Sequence, residues 1–198
     1  MRLPEAPPLR SEAAAANDLR DDALIRRYVE NAEEAAFVLL IRRYLPQLRR
    51  VLFGILNGNR EDMQDVEQEV LVALCRELPR YRFGSAFSTY LYRFARNKGI
   101  DFLRKQARHK RIVQAEALRL SLEPPRTEPA PIFDHREELQ ALLARLSPSE
   151  RLLIVLKDVE GRKLAEIAEI TGLPEGTIKS RLHRTRGKIM KMIERSRL

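Results

Sequence analysis

The chain has 198 residues, 44% hydrophobic and 33% charged, enough apolar material for one large or two small packed domains and too much for a chain disordered throughout. Its 37 Lys and Arg against 28 Asp and Glu leave a formal charge of +9, which points to a phosphate-bearing partner and away from acidic proteins or small neutral substrates. One cysteine, Cys75, excludes an intrachain disulfide framework and a cysteine-based zinc site, and the scattered His109, His135 and His183 form no ligand pattern, so no metal and no cofactor are expected.

In chain order, Pro4, Pro7 and Pro8 mark residues 1–17 as a flexible tail. Ala36, Phe37, Leu40, Ile41, Tyr44 and Leu45 fall at helical spacing; Pro46 interrupts the pattern, and Leu48, Val51, Leu52, Ile55 and Leu56 continue it. Asn57-Gly58-Asn59 reads as a turn, followed by a helix from about Glu61 to Leu78 striped by Val66, Val70 and Leu74. Pro79 and Gly84 bracket a loop. The spacing then predicts a long helix from about Ser85 to Gln106, with Leu91, Phe94, Ala95 and Phe102 inward and Thr89, Arg93, Arg96, Asn97 and Arg104 on the opposite face.

Pro124, Pro125, Pro129 and Pro131 make residues 113–133 an extended linker between an N-terminal domain, 18–112, and a C-terminal domain, 134–198. Asp134 with Glu137, and Ser147-Pro148-Ser149-Glu150, read as capping boxes. Leu139, Leu142, Leu143 and Leu146 stripe one helix and Leu152, Val155, Leu156 and Val159 the next, which Gly161 ends. A short helix from about Leu164 to Thr171, a turn at Gly172-Leu173 and a last helix from about Pro174 to Arg195 complete the chain. No alternating run of β-branched residues occurs. The fold class is therefore all-α, two small helical domains joined by a Pro-rich linker.

The last helix pair has the grammar of a DNA-binding helix-turn-helix. Ile167, Ala168 and Ile170 pack inward, and Ile178, Leu182 and Ile189 bury the second helix. On a wheel of about 100° per residue Ser180, His183 and Arg184 point away from Ile178, with Lys179 beside them, a face suited to base edges in a major groove. Arg181, Arg186 and Lys188 lie on the flanks, where phosphate contacts would position the helix. Charge follows the same division: residues 96–111 carry +6 and residues 176–198 carry +7, leaving −4 on the other 159. Within that acidic remainder, Glu61, Asp62, Asp65, Glu67 and Glu69 crowd nine residues of one helix, further along it than dipole compensation alone explains.

The stretch LSPSERLLIVLKDVEGRKLAEIAEITGLPEGTIKSRLHRTRGKI closely resembles the sigma-four domain of bacterial extracytoplasmic-function sigma factors. EDMQDVEQEVLVALCRELPRY and FSTYLYRFARNKGIDFLRK resemble their sigma-two domain. The two matches cover about three-quarters of the chain, in the family's order, with no counterpart of the region between them in larger sigma factors. The resemblance implies a protein that binds core RNA polymerase, directs it to promoters and opens the minus-ten element, without being an enzyme. It assigns docking on the clamp helices of the largest polymerase subunit to Asp65, Glu67, Gln68 and Glu69, and Asp62, on one helix face with Asp65 and Glu69, is counted with them. Minus-ten and single-strand contacts fall to Tyr81, Arg82, Phe83, Ser85, Phe87, Thr89, Arg93, Arg96, Asn97 and Arg104, with a base captured in the loop 81–87. Which of Tyr81, Phe83 and Phe87 is exposed stays open. Duplex contacts at minus thirty-five fall to Lys179, Ser180, Arg181, His183, Arg184, Arg186 and Lys188.

Two positions depart from the family's pattern. Tyr90 stands where a Trp is common, and His183 replaces an aromatic residue on the recognition helix, leaving the preferred minus-thirty-five sequence open. Many members of the family are held inactive by an anti-sigma factor that covers these surfaces, which makes one a candidate partner; no residue marks it. Cys75 reads as a small buried hydrophobe rather than a redox sensor. No apolar run approaches the roughly 20 residues of a membrane span and the N-terminus lacks a signal peptide's apolar stretch, so a soluble cytoplasmic protein with no membrane insertion is expected. A helix-turn-helix regulator with a sensing or dimerising domain would leave the acidic helix and the basic-aromatic segment unexplained. A recombinase would need an α/β catalytic domain that residues 18–112 do not suggest.

Overall fold

Eight helices account for almost all of residues 20–119 and 135–196, which are the residues described in the computed structural model; no strand occurs among them. The N-terminal part contains α1 (Asp21–Asn31), α2 (Glu34–Leu56), α3 (Arg60–Glu77), a 3-10 turn (Leu78–Arg80) and α4 (Phe87–Arg119). The C-terminal part contains α5 (His135–Ala144), α6 (Pro148–Ile154) extended by a π turn (Val155–Val159), α7 (Leu164–Thr171) and α8 (Glu175–Ser196).

Local chemistry sets most boundaries. Asn57 and Gly58 take φ of 57° and 72° to end α2, and the Asn59 side chain accepts from the Asp62 backbone N–H at 3.1 Å to start α3. The box at Ser147 is made reciprocally, Ser147 N–H donating to Glu150 at 2.9 Å and Glu150 N–H to the Ser147 hydroxyl at 3.3 Å. Gly161 and Gly172 adopt φ of 66° and 71°. The box expected at Asp134 lies outside the described residues, as do the tail 1–17 and linker residues 120–133.

The structure corrects three of the expected elements. Pro46 does not interrupt α2, which runs through it for 23 residues; proline removes one hydrogen bond there, and the burial of Leu40, Ile41, Leu48, Val51, Leu52 and Ile55 on one side of the helix outweighs that loss. Helix α4 ends at Arg119 rather than near Gln106, so residues 113–119 of the expected linker are helical; no Gly or Pro falls between Gly99 and Pro124 to stop them. Val159 is 58% exposed instead of buried. The π turn inserts one residue per turn and rotates the following positions off the α6 stripe, while Leu152, Val155 and Leu156 stay inside.

One apolar core joins both halves. Leu24 and Ile25 of α1, Leu40, Leu52 and Ile55 of α2, Val66, Val70 and Leu74 of α3 and Leu91 of α4 are contiguous with Leu152, Leu153, Leu156, Ile167, Ile170, Ile178 and Leu182. Each such side chain, fully buried, contributes about 1.5–3 kcal/mol. Gly54 is what lets α6 approach α2: a Cβ there would lie 3.0 Å from Val155 Cγ2. Across the same seam the buried Arg151 guanidinium donates to the carbonyls of Gly54 and Ile55, each at 3.0 Å, and to those of Leu143 and Leu146 at 3.1 and 2.6 Å. It thereby satisfies carbonyls that the end of α2 leaves without helical partners.

Candidate nucleic-acid and docking surfaces

On α8, Ile178, Leu182 and Thr185 face the core and Lys179, Ser180, His183 and Arg184 face solvent, with Arg181 half-buried between the two sides. The exposed group is held in register by the helix itself: Ser180 Oγ donates to the Thr177 carbonyl at 3.0 Å and Arg184 Nε to the Ser180 carbonyl at 3.3 Å. Arg186 and Lys188 are committed elsewhere. Arg186 pairs with Asp158, and Lys188 with Glu150, tying α8 to α6 and its π turn. The Lys188 ammonium, with further hydrogen bonds from Ser147, holds the Glu150 carboxyl down to about 2 against a desolvation that would raise it.

The loop before α4 carries an aromatic cluster. The Tyr81 ring lies 4.9 Å from Phe83, 4.9 Å from Tyr90 and 6.2 Å from Phe87, edge-on in the last case. Phe87 is 3% exposed and belongs to the core; Phe83 is 38% exposed and Tyr81 half-buried. Phe83 also has a φ of 55°, in the left-handed region that a bulky side chain avoids. Its exposed ring sits beneath the Arg26 guanidinium at 5.1 Å, and Arg93 lies 5.8 Å from the Tyr90 ring. The Tyr81 hydroxyl donates to the Ser85 carbonyl and closes the loop on itself.

Beside this cluster opens a cavity of about 470 Å³ lined by Arg80, Tyr81, Arg82, Gly84, Ser85, Tyr90, Arg93 and Glu169. Burial raises the pKa of both Tyr81 and Tyr90, with Asp22 and Asp21 adding for the first and Glu77 for the second, so both remain neutral hydrogen-bonding phenols. Arg26, Arg80 and Tyr90 were not among the site residues expected from sequence. Arg26 reaches Phe83 from α1, 57 positions away, and no local pattern signals such a contact.

Along α4, Arg93, Asn97 and Arg104 are exposed and Arg96 is half-buried, its guanidinium donating to Asn97 at 3.1 Å; Arg104 pairs with Asp101 at 3.2 Å. Thr89 departs from the expected solvent face and is 4% exposed. Ser88 and Tyr92 beside it are also buried, because α7 of the C-terminal half packs on this part of α4.

The acidic helix divides. Glu67 is engaged by a bidentate contact from Arg49 at 2.8 and 3.0 Å, and Asp62 accepts from Gln106 at 3.4 Å. Asp65, Gln68 and Glu69 are exposed and line a groove of about 530 Å³ together with Val72, Ala73, Arg76, Lys98 and Phe102. Val72 is 54% exposed there, an apolar residue in an acidic rim. Among the described residues no three His, Cys, Asp or Glu side chains converge as a metal site would need, and no helix is long and apolar enough to cross a membrane.

Residues 40–109 match the family description Sigma-70 region 2, and residues 136–189 match Sigma-70, region 4. The ECF RNA polymerase sigma-E factor of Haemophilus influenzae is 30% identical over 193 residues, covering 90% of this chain and 98% of its own length. The chain belongs to the ECF sigma factors. The ECF RNA polymerase sigma factor SigE of Mycolicibacterium smegmatis is 33% identical over 154 residues, which is 74% of this chain and 57% of that longer protein. Among solved structures, the sigma factor RpoE of Bartonella quintana, in complex with the anti-sigma factor NepR, has a TM-score of 0.64 at 25% identity over 80% of this chain and 96% of its own.

The sigma factor's region 2 match takes in most of α2, all of α3 and the loop and N-terminal two-thirds of α4, hence the acidic groove and the aromatic cavity together. Region 4 takes in α5 from Arg136 onward through α8 as far as Ile189, and with them the exposed face of α8.

Proposed function

We propose that this sigma factor divides initiation between three surfaces. The groove of Asp65, Gln68, Glu69 and Val72 docks core polymerase, with Asp62 and Glu67 shaping its acidic helix. The aromatic loop and α4 receive the melted minus-ten strand: Phe83 stacks on an unpaired base, Tyr81 and Ser85 wall the cavity, and Arg82, Arg93, Arg96, Asn97 and Arg104 follow the backbone. Phe87 and Thr89 support that element from within. On α8, Lys179, Ser180, His183 and Arg184 read the minus-thirty-five duplex, and Arg181 adds a phosphate contact.

The domain limits we adopt are a sigma-two domain from 18 to the end of α4 at Arg119, a shorter linker than expected, and a sigma-four domain over 134–198. The factor performs no catalysis of its own and works in the cytoplasm, where polymerase and promoter are. An anti-sigma factor is a fitting regulator, since a structural neighbour of similar fold is bound to one.

The observation that carries this reading is the succession of the two regional matches, with an exposed Phe83 in the first and an exposed basic helix face in the second. In-vitro transcription with purified core polymerase on a promoter library tests it. Specific initiation dependent on the chain, with one enriched sequence near minus ten and another near minus thirty-five, is the expected result. Transcripts indistinguishable from core polymerase alone would overturn it.

A further inference from the structure

We propose that Arg26 of α1 belongs to the minus-ten surface as a positioning residue: its guanidinium pairs the phosphate of the nucleotide whose base stacks on Phe83. The assignment rests on the function given above. It extends that surface to a helix, Asp21–Asn31, that lies before the region 2 match at 40–109.

The geometry brings a cation and an exposed aromatic ring together at one edge of the loop. Phe83 is 38% exposed, and the Arg26 guanidinium lies over its ring at 5.1 Å from the centroid. The Tyr81 ring, at 4.9 Å, is tilted by 57° to that of Phe83, so it props the ring without stacking flat on it. Helix α1 is itself fixed to this cluster. The Asp21 carboxylate pairs with Arg43 and accepts from the Tyr44 hydroxyl, and the Tyr44 ring stands edge-on to Phe87 at 5.1 Å, the ring against which Tyr81 also packs. Arg26 is thus presented to Phe83 from an element whose position the loop's own aromatic residues define.

What holds Arg26 over the ring is weak enough to give way to DNA. Its one carboxylate partner among the described residues is Glu30 at 3.7 Å, beyond hydrogen-bond distance, and both side chains are 62% exposed. The next residue makes the contrast: Arg27 grips Glu33 by two hydrogen bonds of 2.7 and 2.6 Å. A phosphate offers Arg26 the bidentate, charge-assisted contact that Glu30 does not. A guanidinium and a nucleobase are both flat groups that favour an aromatic face, so the base takes the place of the cation over the ring while the flexible stem of Arg26 turns its fork to the backbone. In the free chain the same cation keeps the ring oriented outward despite its left-handed backbone at φ 55°.

The salt dependence of single-strand binding tests the assignment. The probe is a fluorescein-labelled single-stranded oligonucleotide carrying the minus-ten sequence that the promoter library yields, bound to holoenzyme. Each phosphate neutralised on a single strand contributes about 0.7 to the slope of log affinity against log salt. Arg26→Ala should therefore bind about tenfold more weakly near 0.1 M salt, with a slope shallower by about 0.7. Arg26→Lys keeps the charge and should restore the slope, whereas Phe83→Ala should lose affinity with its slope unchanged. Arg27→Ala, one position along and already committed to Glu33, should match the unmodified chain. A methylphosphonate placed at each phosphate in turn locates the contact: one position should weaken the unmodified holoenzyme and leave Arg26→Ala indifferent. Unchanged affinity in Arg26→Ala would overturn the proposal. So would a loss at unchanged slope, which would reduce Arg26 to a prop for the ring, or an equal loss in Arg27→Ala. Failure of the unmodified holoenzyme to bind the oligonucleotide would count instead against the single-strand role of the loop itself.

Discussion

Phe83 combines a left-handed backbone with an aromatic ring that is more than a third exposed, two costs that a purely structural loop residue would shed through substitution by Gly or Asn. Its neighbours Arg26 and Tyr81 hold the ring in place instead of covering it. If the ring stacks on an extruded base, Phe83→Ala loses about 1–3 kcal/mol, a drop of roughly 5- to 160-fold in open-complex stability. Permanganate reactivity of the melted thymines is the measurement, and an unchanged open fraction would remove Phe83 from the role.

The α8 cations allow a sharper contrast. Arg184 has no acidic partner among the described residues, whereas Lys188 is already paired with Glu150. Arg184→Ala should weaken holoenzyme binding to a minus-thirty-five duplex by about 1–3 kcal/mol, and Lys188→Ala should weaken it less while lowering the stability of the fold. Competitive binding and chemical denaturation on both variants decide the matter. Asp65→Arg belongs with them: it should abolish polymerase capture in a pull-down while leaving binding of the free chain to that duplex intact.

At the level of elements, the attachment of α8 to α6 has a pH signature. The Glu150 carboxyl titrates near 2 when folded, against an ordinary value of about 4.5, so it adds stability that is present above pH 4.5 and lost as the pH falls towards 2. Glu150→Gln should lower the urea midpoint at pH 7, and its deficit should shrink steadily below pH 4.5. A deficit constant from pH 7 to 3 would show that capping geometry, not the charge, is what matters.

Elements that speak through their own residues were readable in advance. The box at Ser147, the turn at Asn57-Gly58 and the bounds of α7 each rest on side chains within a few positions of the feature. What the sequence concealed depends on distant chain. Thr89 lies on the polar side of α4 by spacing, yet it is 4% exposed, and its neighbours Ser88 and Tyr92 are bonded by Arg162, 70 or more positions away. Val159 needed knowledge of a single π turn. In the candidate site, the basic and acidic runs were visible as composition, but the division of the acids into paired Glu67 and exposed Asp65, Gln68 and Glu69 required the position of Arg49 on the neighbouring helix.

For the whole molecule, the net charge of +9 proved less informative than its placement. The exposed acids of α3 and the exposed cations of α8 lie on different elements, and Arg76 and Lys98 are the cations that line the acidic groove; that separation suits the two partners proposed above, polymerase and DNA. Holding both domains in one core has a thermodynamic consequence. Residues 40–109 and 136–189 are separate units in the family's description, and independent units would unfold in two steps. Here Leu152, Leu153 and Leu156 complete a core begun by α2, so exposing either half strips apolar cover from the other. Calorimetry of the free chain should therefore show a single transition whose calorimetric and van't Hoff enthalpies agree. Arg151→Met keeps the bulk of the side chain while removing every hydrogen bond to Gly54, Ile55, Leu143 and Leu146, and it leaves those carbonyls without their donor. It should split the transition in two or lower its midpoint. Two transitions in the unmodified chain would mean that the shared core contributes little, and that the domains stay together only through the linker.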